Sequence, residues 1–138
     1  MLKVFVYGSL KQGYYNDRPF YVERRVNVEK AVVVGTLYDL GHYPGLDLNG
    51  RGLTRGEIHT YPDEVAAEVT ERLDGLEGYV EGRERNHYFR RVVNVTLEDG
   101  TTVQAFAYEI SKDDVRKNKV LKNGLWPADE KLHMYAGR

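Results

Sequence analysis

At 138 residues, with 41% apolar and 30% charged side chains, the chain has the length and composition of one globular domain spanning residues 1–138. A chain of that size buries roughly two thirds of its unfolded surface. With 20 lysines and arginines against 21 aspartates and glutamates, the formal net charge is −1, which removes the field that drives phosphate-backbone binding. The absence of cysteine excludes disulfides, thiolate nucleophiles and Cys-ligated metal centres, and no apolar run approaches the ~20 residues of a membrane helix.

The opening stretch "LKVFVY" (residues 2–7) is near-continuously apolar and rich in β-branched and aromatic residues, as a central strand is, and Gly8 ends it. It lacks the longer apolar region and small-residue cleavage site of a signal peptide, so cytoplasmic residence is the expectation. Residues 25–40 carry a second strand signal with a break at Gly35, and "GHYPG" (41–45) reads as loop. Residues 52–61 alternate loosely as a further strand, and Pro62 then opens a helix. Within that helix Val65, Val69, Leu73 and Leu76 recur at spacings of four, four and three and form one apolar stripe. Gly78 ends it, with Glu77 in the last turn or just beyond. Residues 87–97, the turn "EDG" (98–100) and residues 101–110 form a hairpin. On its second strand Thr102, Gln104, Phe106 and Tyr108 share one face, and Val103, Ala105 and Ala107 the other. "KDDVRKNK" (112–119) suggests a short helical turn, and "NGLWPADEK" (123–131) an extended segment packing through Leu125 and Trp126. The sum is an α+β domain whose mixed or antiparallel sheet closes toward a small β-barrel, with one main helix.

Familiar chemical signatures are missing. "YGSLKQG" (7–13) is neither a Walker loop nor a dinucleotide loop, and no G-x-S-x-G elbow surrounds Ser9. His42, His59, His87 and His133 are scattered without metal-ligand spacing. The basic stretch "RERNHYFRR" (83–91) is interrupted by Glu84 and reads first as a solvated strand and loop. Glu77 is the more informative carboxylate, because a negative group at a helix C-terminus opposes the macrodipole. Flanked by Leu73, Leu76 and Tyr79, it is either a plain surface glutamate or a partly desolvated proton carrier with a raised pKa.

Several segments together resemble the γ-glutamylcyclotransferase-like, or AIG2-like, superfamily. These are "VYGSL" (6–10), "LYDLGHYPG" (37–45), "LDGLEGY" (73–79), "YFR" (88–90), "AFAY" (105–108) and "GLW" (124–126), in that order and spread over residues 4–126. The resemblance implies a compact fold with a small barrel and a pocket at the turn after the first strand. It also implies cyclisation of a small-molecule γ-glutamyl substrate to 5-oxoproline with release of an amine or amino acid, without metal or organic cofactor; the charge balance and hydropathy already speak against nucleic-acid and membrane partners. Carried over by position, Glu77 is the general acid/base, Tyr7, Gly8, Ser9 and Leu10 hold the glutamyl head, and Tyr88 and Tyr108 border the pocket. Tyr43 and Pro44 wall it. Plainer readings stand beside these: Tyr7 as a core residue, Tyr88 and Tyr108 as cross-strand partners, Trp126 as a packing anchor, and Glu57 as structural or pocket-supporting. The connection of ten residues between Glu77 and Tyr88 is long and charged, so Arg83, Arg85 and His87 either meet an anionic substrate tail or face water. The alternative function is a non-catalytic small-molecule binding or interaction module on the same fold.

Overall fold

The computed structural model describes residues 1–115 and 119–127. Along the chain run β1 (Leu2–Val6), α1 (Pro19–Arg24), β2 (Asn27–Val34), β3 (Thr36–Asp39), β4 (Pro44–Asp47), β5 (Leu53–Tyr61), α2 (Asp63–Glu77), β6 (Tyr88–Leu97) and β7 (Thr102–Ile110). The sheet order is β1-β5-β2-β6-β7-β4-β3, and β1 also pairs with β7, so five strands close into a barrel with β4 and β3 attached beyond β7. Most pairings are antiparallel. The two exceptions, Val4 opposite Phe106 and Leu46 opposite Glu109, run parallel.

Closure explains the apolar run in β1. Phe5 packs in a cluster drawn from all five barrel strands, with Ala31 and Val33, Ile58, Val93 and Val95, and Ala105 and Ala107. Val4 and Val6, on the other face of the same strand, join Tyr61, Val69, Leu73 and Tyr108 in a second cluster beneath α2. A strand buried on both faces has no polar alternation to show. The faces read for β7 divide in the same way, Ala105 and Ala107 inward and Phe106 and Tyr108 toward α2. Trp126 is 2% exposed and packs with the barrel cluster, as a packing anchor should.

Helix α2 takes its boundaries from its ends. Pro62 sits at the N-cap, one position before the helix, and Gly78 adopts φ 68°, its N–H bonded to the Asp74 and Gly75 carbonyls. Of the four stripe residues, Val69 and Leu73 are buried and Val65 packs partly, which contributes about 1.5–3 kcal/mol for each fully buried side chain. Leu76 departs from the expected stripe at 45% exposure, and it lines a cavity at the end of the helix.

Two elements differ from the sequence reading. "GHYPG" is loop only to Tyr43, for Pro44 begins β4, paired with Asp39 of β3; a first strand position tolerates a residue with no N–H to donate. Helix α1, six residues opened by Pro19, is too short to carry a periodic signal. The break at Gly35 holds, and its cause is contact: a β-carbon there would stand 2.8 Å from Leu46 Cδ1 and 2.9 Å from the Asp47 carbonyl oxygen.

Beyond β7, residues 112–114 form a turn, with residues 116–118 of the expected helical turn outside the described region. Residues 122–124 also turn where an extended segment was expected, because Gly124 donates back to the Leu121 carbonyl and accepts from Arg55 N–H. Residues 128–131 of that segment lie outside the described residues. No described helix is long and apolar enough to cross a membrane.

Candidate active site

The chain leaves β1 at Tyr7 and enters a compact loop. Lys11 N–H bonds to the Gly8 carbonyl and Asn16 N–H to the Ser9 carbonyl, each at 3.0 Å, so the loop folds back upon itself. Two carboxylates pin it from outside. Asp17 receives Gly13 N–H at 3.1 Å and pairs with Arg25 at 2.5 Å, with both charged side chains almost fully enclosed. Glu57 accepts from Gln12 N–H at 2.8 Å and from His59 Nε2–H at 2.9 Å. Burial alone would raise the Glu57 pKa, but the His59 bond, the Gln12 N–H and the Lys11 charge outweigh it and hold the carboxyl below its ordinary range. Glu57 is therefore an ionised support for the loop and does not line the site.

That pinned loop forms one wall of a cavity of about 220 Å³. The volume lies below the ~300–1,000 Å³ of drug-sized pockets and suits a head group of amino-acid size. The N–H groups of Gly8, Ser9 and Leu10 bond to no acceptor among the described residues. Ser9 Oγ accepts from Asn16 Nδ2 at 2.7 Å, which leaves the hydroxyl proton for another acceptor and puts an amide, not a base, beside it. Gly8 is required by its neighbour: a β-carbon would lie 2.7 Å from Pro44 Cδ, so the loop and β4 are pressed together here.

Glu77, the last residue of α2, lines the same cavity. Its carboxyl has no hydrogen-bond partner among the described residues, and enclosure pushes its pKa up to about 7. The residue is only half-buried, because a concave pocket surrounds the carboxyl with protein atoms while still admitting water. Burial without a compensating donor or cation disfavours the charged form.

Three tyrosines close the floor, each with its hydroxyl proton already engaged. Tyr7 donates to the Tyr108 carbonyl, Tyr88 to the Pro44 carbonyl at 2.5 Å, and Tyr108 to Asp74 Oδ1 at 2.6 Å. Asp74 in turn pairs with Arg90 at 2.5 Å. Burial first, and the nearby Glu77 charge in each case, push all three phenols above their usual value, so they stay protonated. Around the rim the exposed lining residues are Tyr43 at 38%, Leu76 at 45% and His87, whose side chain is 38% exposed.

All eight residues singled out from the sequence, Glu77, Tyr7, Gly8, Ser9, Leu10, Tyr43, Tyr88 and Tyr108, line this one cavity, and Pro44 joins them. Of the charged connection, His87 lines it, whereas Arg83 and Arg85 are exposed and do not. Tyr15 and Asn16 line it without having been read, and Leu76, read only as part of the helix stripe and a flank of Glu77, lines it too; only the return of the loop to Ser9, a backbone event, brings Asn16 there. Among the described residues no three His, Asp or Glu side chains converge as a metal ion would require.

Residues 4–128 match the family model described as Gamma-glutamyl cyclotransferase, AIG2-like. No curated protein matches the chain. Among solved structures, an uncharacterized protein of Pyrococcus horikoshii is 18% identical with both chains covered in full and a TM-score of 0.64. YkqA of Bacillus subtilis is 20% identical with a TM-score of 0.64; the match covers 91% of this chain and 39% of that one. The ytfP protein of Escherichia coli is 24% identical, with 92% and 97% of the two chains covered and a TM-score of 0.57. At these identities the likeness is one of fold.

Proposed function

The chain belongs to the Gamma-glutamyl cyclotransferase, AIG2-like family, and from that premise we propose that it is an enzyme that cyclises a small γ-glutamyl compound to 5-oxoproline and releases an amine or amino acid, with Glu77 as general acid/base. The observation that carries the reading is one carboxyl, free of hydrogen bonds among the described residues and with a pKa raised to about 7, sharing a small cavity with the unengaged N–H groups of Gly8, Ser9 and Leu10.

The chemistry follows from what each group can do. In a γ-glutamyl compound the α-amine attacks the γ-carbonyl carbon of the same molecule, so the protein need only hold a folded conformation that the free molecule seldom adopts. The α-carboxylate and the developing carbonyl oxyanion both need donors set in advance, and fixed backbone N–H groups supply them without reorganising. Ser9 contributes its hydroxyl proton to that binding and does not attack. A carboxyl with a pKa near 7 is close to half ionised at neutral pH, and so both accepts the proton lost by the amine and returns one to the leaving nitrogen. The three floor tyrosines keep their protons and shape the walls.

Incubation of the purified protein with a panel of γ-glutamyl amines and peptides, followed by measurement of 5-oxoproline, tests the reading. Glu77→Gln is expected to lower kcat by ~10²–10⁴ with little change in KM. Turnover undiminished by that substitution removes Glu77 from the mechanism. Tight binding of glutamyl compounds with no product at any pH supports the non-catalytic binding module instead.

A further inference from the structure

At the rim, His87 is held from both ring nitrogens. Its Nδ1 lies 2.8 Å from Asp114 Oδ2 and its Nε2 3.1 Å from the Tyr43 hydroxyl. The Asp114 carboxylate also accepts from Ser111 Oγ at 2.6 Å, and Ser111 N–H bonds to the His87 carbonyl at 2.9 Å, so the turn after β7 is fastened to the residue it orients. The imidazole stands edge-on to Tyr88 at 4.8 Å and to Tyr43 at 5.5 Å, which fixes its plane. A carboxylate at Nδ1 keeps the proton there and presents Nε2 to Tyr43 and the cavity.

We propose that His87, oriented by Asp114 and linked to the Tyr43 hydroxyl, is a second proton carrier of this site, acting on the leaving nitrogen. The proposal rests on the cyclisation reading and revises its second step: Glu77 takes the proton of the attacking amine, and His87, in place of Glu77, supplies the one that the leaving nitrogen needs. Glu77 closes the cavity at the end of α2 beside the buried tyrosines, whereas His87 and Tyr43 are exposed at the rim through which the released amine departs. As the α-nitrogen bonds to the γ-carbon it loses a proton to the Glu77 carboxylate, and the carbonyl π pair moves onto oxygen. When the carbonyl re-forms, the pair of the breaking C–N bond goes to the leaving nitrogen. That nitrogen takes the Nε2 proton of the imidazolium, either directly or through Tyr43, whose hydroxyl gives one proton and accepts one. Glu77 then loses its proton to water and His87 regains one from water, so the protein returns to its starting state.

The test compares two γ-glutamyl substrates, a simple alkylamide and a p-nitroanilide. An alkylamine cannot depart without a proton; p-nitroaniline is a far weaker base and departs with little need of one. His87→Gln is expected to lose ~10²-fold in kcat on the alkylamide and less than ~3-fold on the p-nitroanilide. Asp114→Asn, a positioning change, is expected to lose ~10-fold with the same selectivity, and it carries the test should His87→Gln fail to fold. Equal losses on both substrates, or no loss on either, overturn the proposal while leaving the cyclisation reading intact. A wild-type protein that forms 5-oxoproline from neither compound overturns both.

Discussion

Glu77 bears a thermodynamic burden. Its pKa is raised to about 7 in the folded protein against 4.5 for a free side chain, so between those values the folded state holds more protons than the unfolded one and stability falls as pH rises. Below about pH 4.5 the carboxyl is protonated in both states and the penalty vanishes; above about pH 7 it is complete. Water enters the cavity and screens the charge, so the penalty is on the order of 1–3 kcal/mol. Glu77→Gln is therefore expected to melt several degrees above the wild type at pH 8 and level with it at pH 4, a comparison made by calorimetry at the two pH values. A carboxylate ending a helix was visible in the sequence as an anomaly. Its enclosure was not, because the atoms that enclose it come from β1, β6, β7 and the 8–17 loop. Gly8 shows the converse. Its need for a missing side chain was legible, but the neighbour responsible is the Pro44 ring and not a ligand alone.

At the scale of elements, the last turn of α2 is tied to the barrel by one residue. Asp74 receives the Tyr108 hydroxyl and the Arg90 guanidinium, from β7 and β6, and its carbonyl accepts the Gly78 N–H that ends the helix. Arg90 also stacks over Tyr79 and Phe106, at 5.3 and 5.4 Å from their ring centres. Asp74→Ala leaves the Tyr108 hydroxyl without its acceptor, at a cost of about 1–3 kcal/mol, and frees the turn that carries Glu77. The expected outcome is a kcat lower by ~10–100-fold, together with a Glu77 pKa that moves from about 7 toward 4.5 as water gains access, read from the carboxyl carbon by NMR titration. The α2 stripe and the β6–β7 hairpin were readable because each repeats its signal over nine or more residues. Strand β4, four residues beginning at Pro44, and α1, six residues beginning at Pro19, offer no such repetition, and only tertiary partners stabilise them.

For the whole molecule the decisive step is closure. Sequence patterns announce hairpins, since their partners are neighbours, but the parallel contact of β1 with β7 joins Val4 to Phe106 across the length of the domain and leaves no local trace. On the opposite edge of β1, where β5 pairs with it, the packing is tight: at Gly56 a β-carbon would stand 2.2 Å from the Val6 carbonyl oxygen and 2.9 Å from Phe5 Cζ. Gly56→Ala is expected to destabilise by more than about 3 kcal/mol, read as a fall in the urea midpoint, since β1 cannot give way on either side. Helix α2 and β1 converge at the cavity only because the sheet is closed.

The barrel and the rim differ in how they are built, and Asn86 marks the division. Buried within the connection from α2 to β6, its side chain bonds to both the N–H and the carbonyl of Val80 and to the carbonyl of Arg83, so that excursion is cinched at its base while residues 81–85 are exposed. Those five positions belong to no strand register and none of them lines the cavity, so exchanging them is expected to leave its walls in place. The excursion is thus an interchangeable adaptor, free to vary in charge while Asn86 holds its base and the cavity walls keep their place.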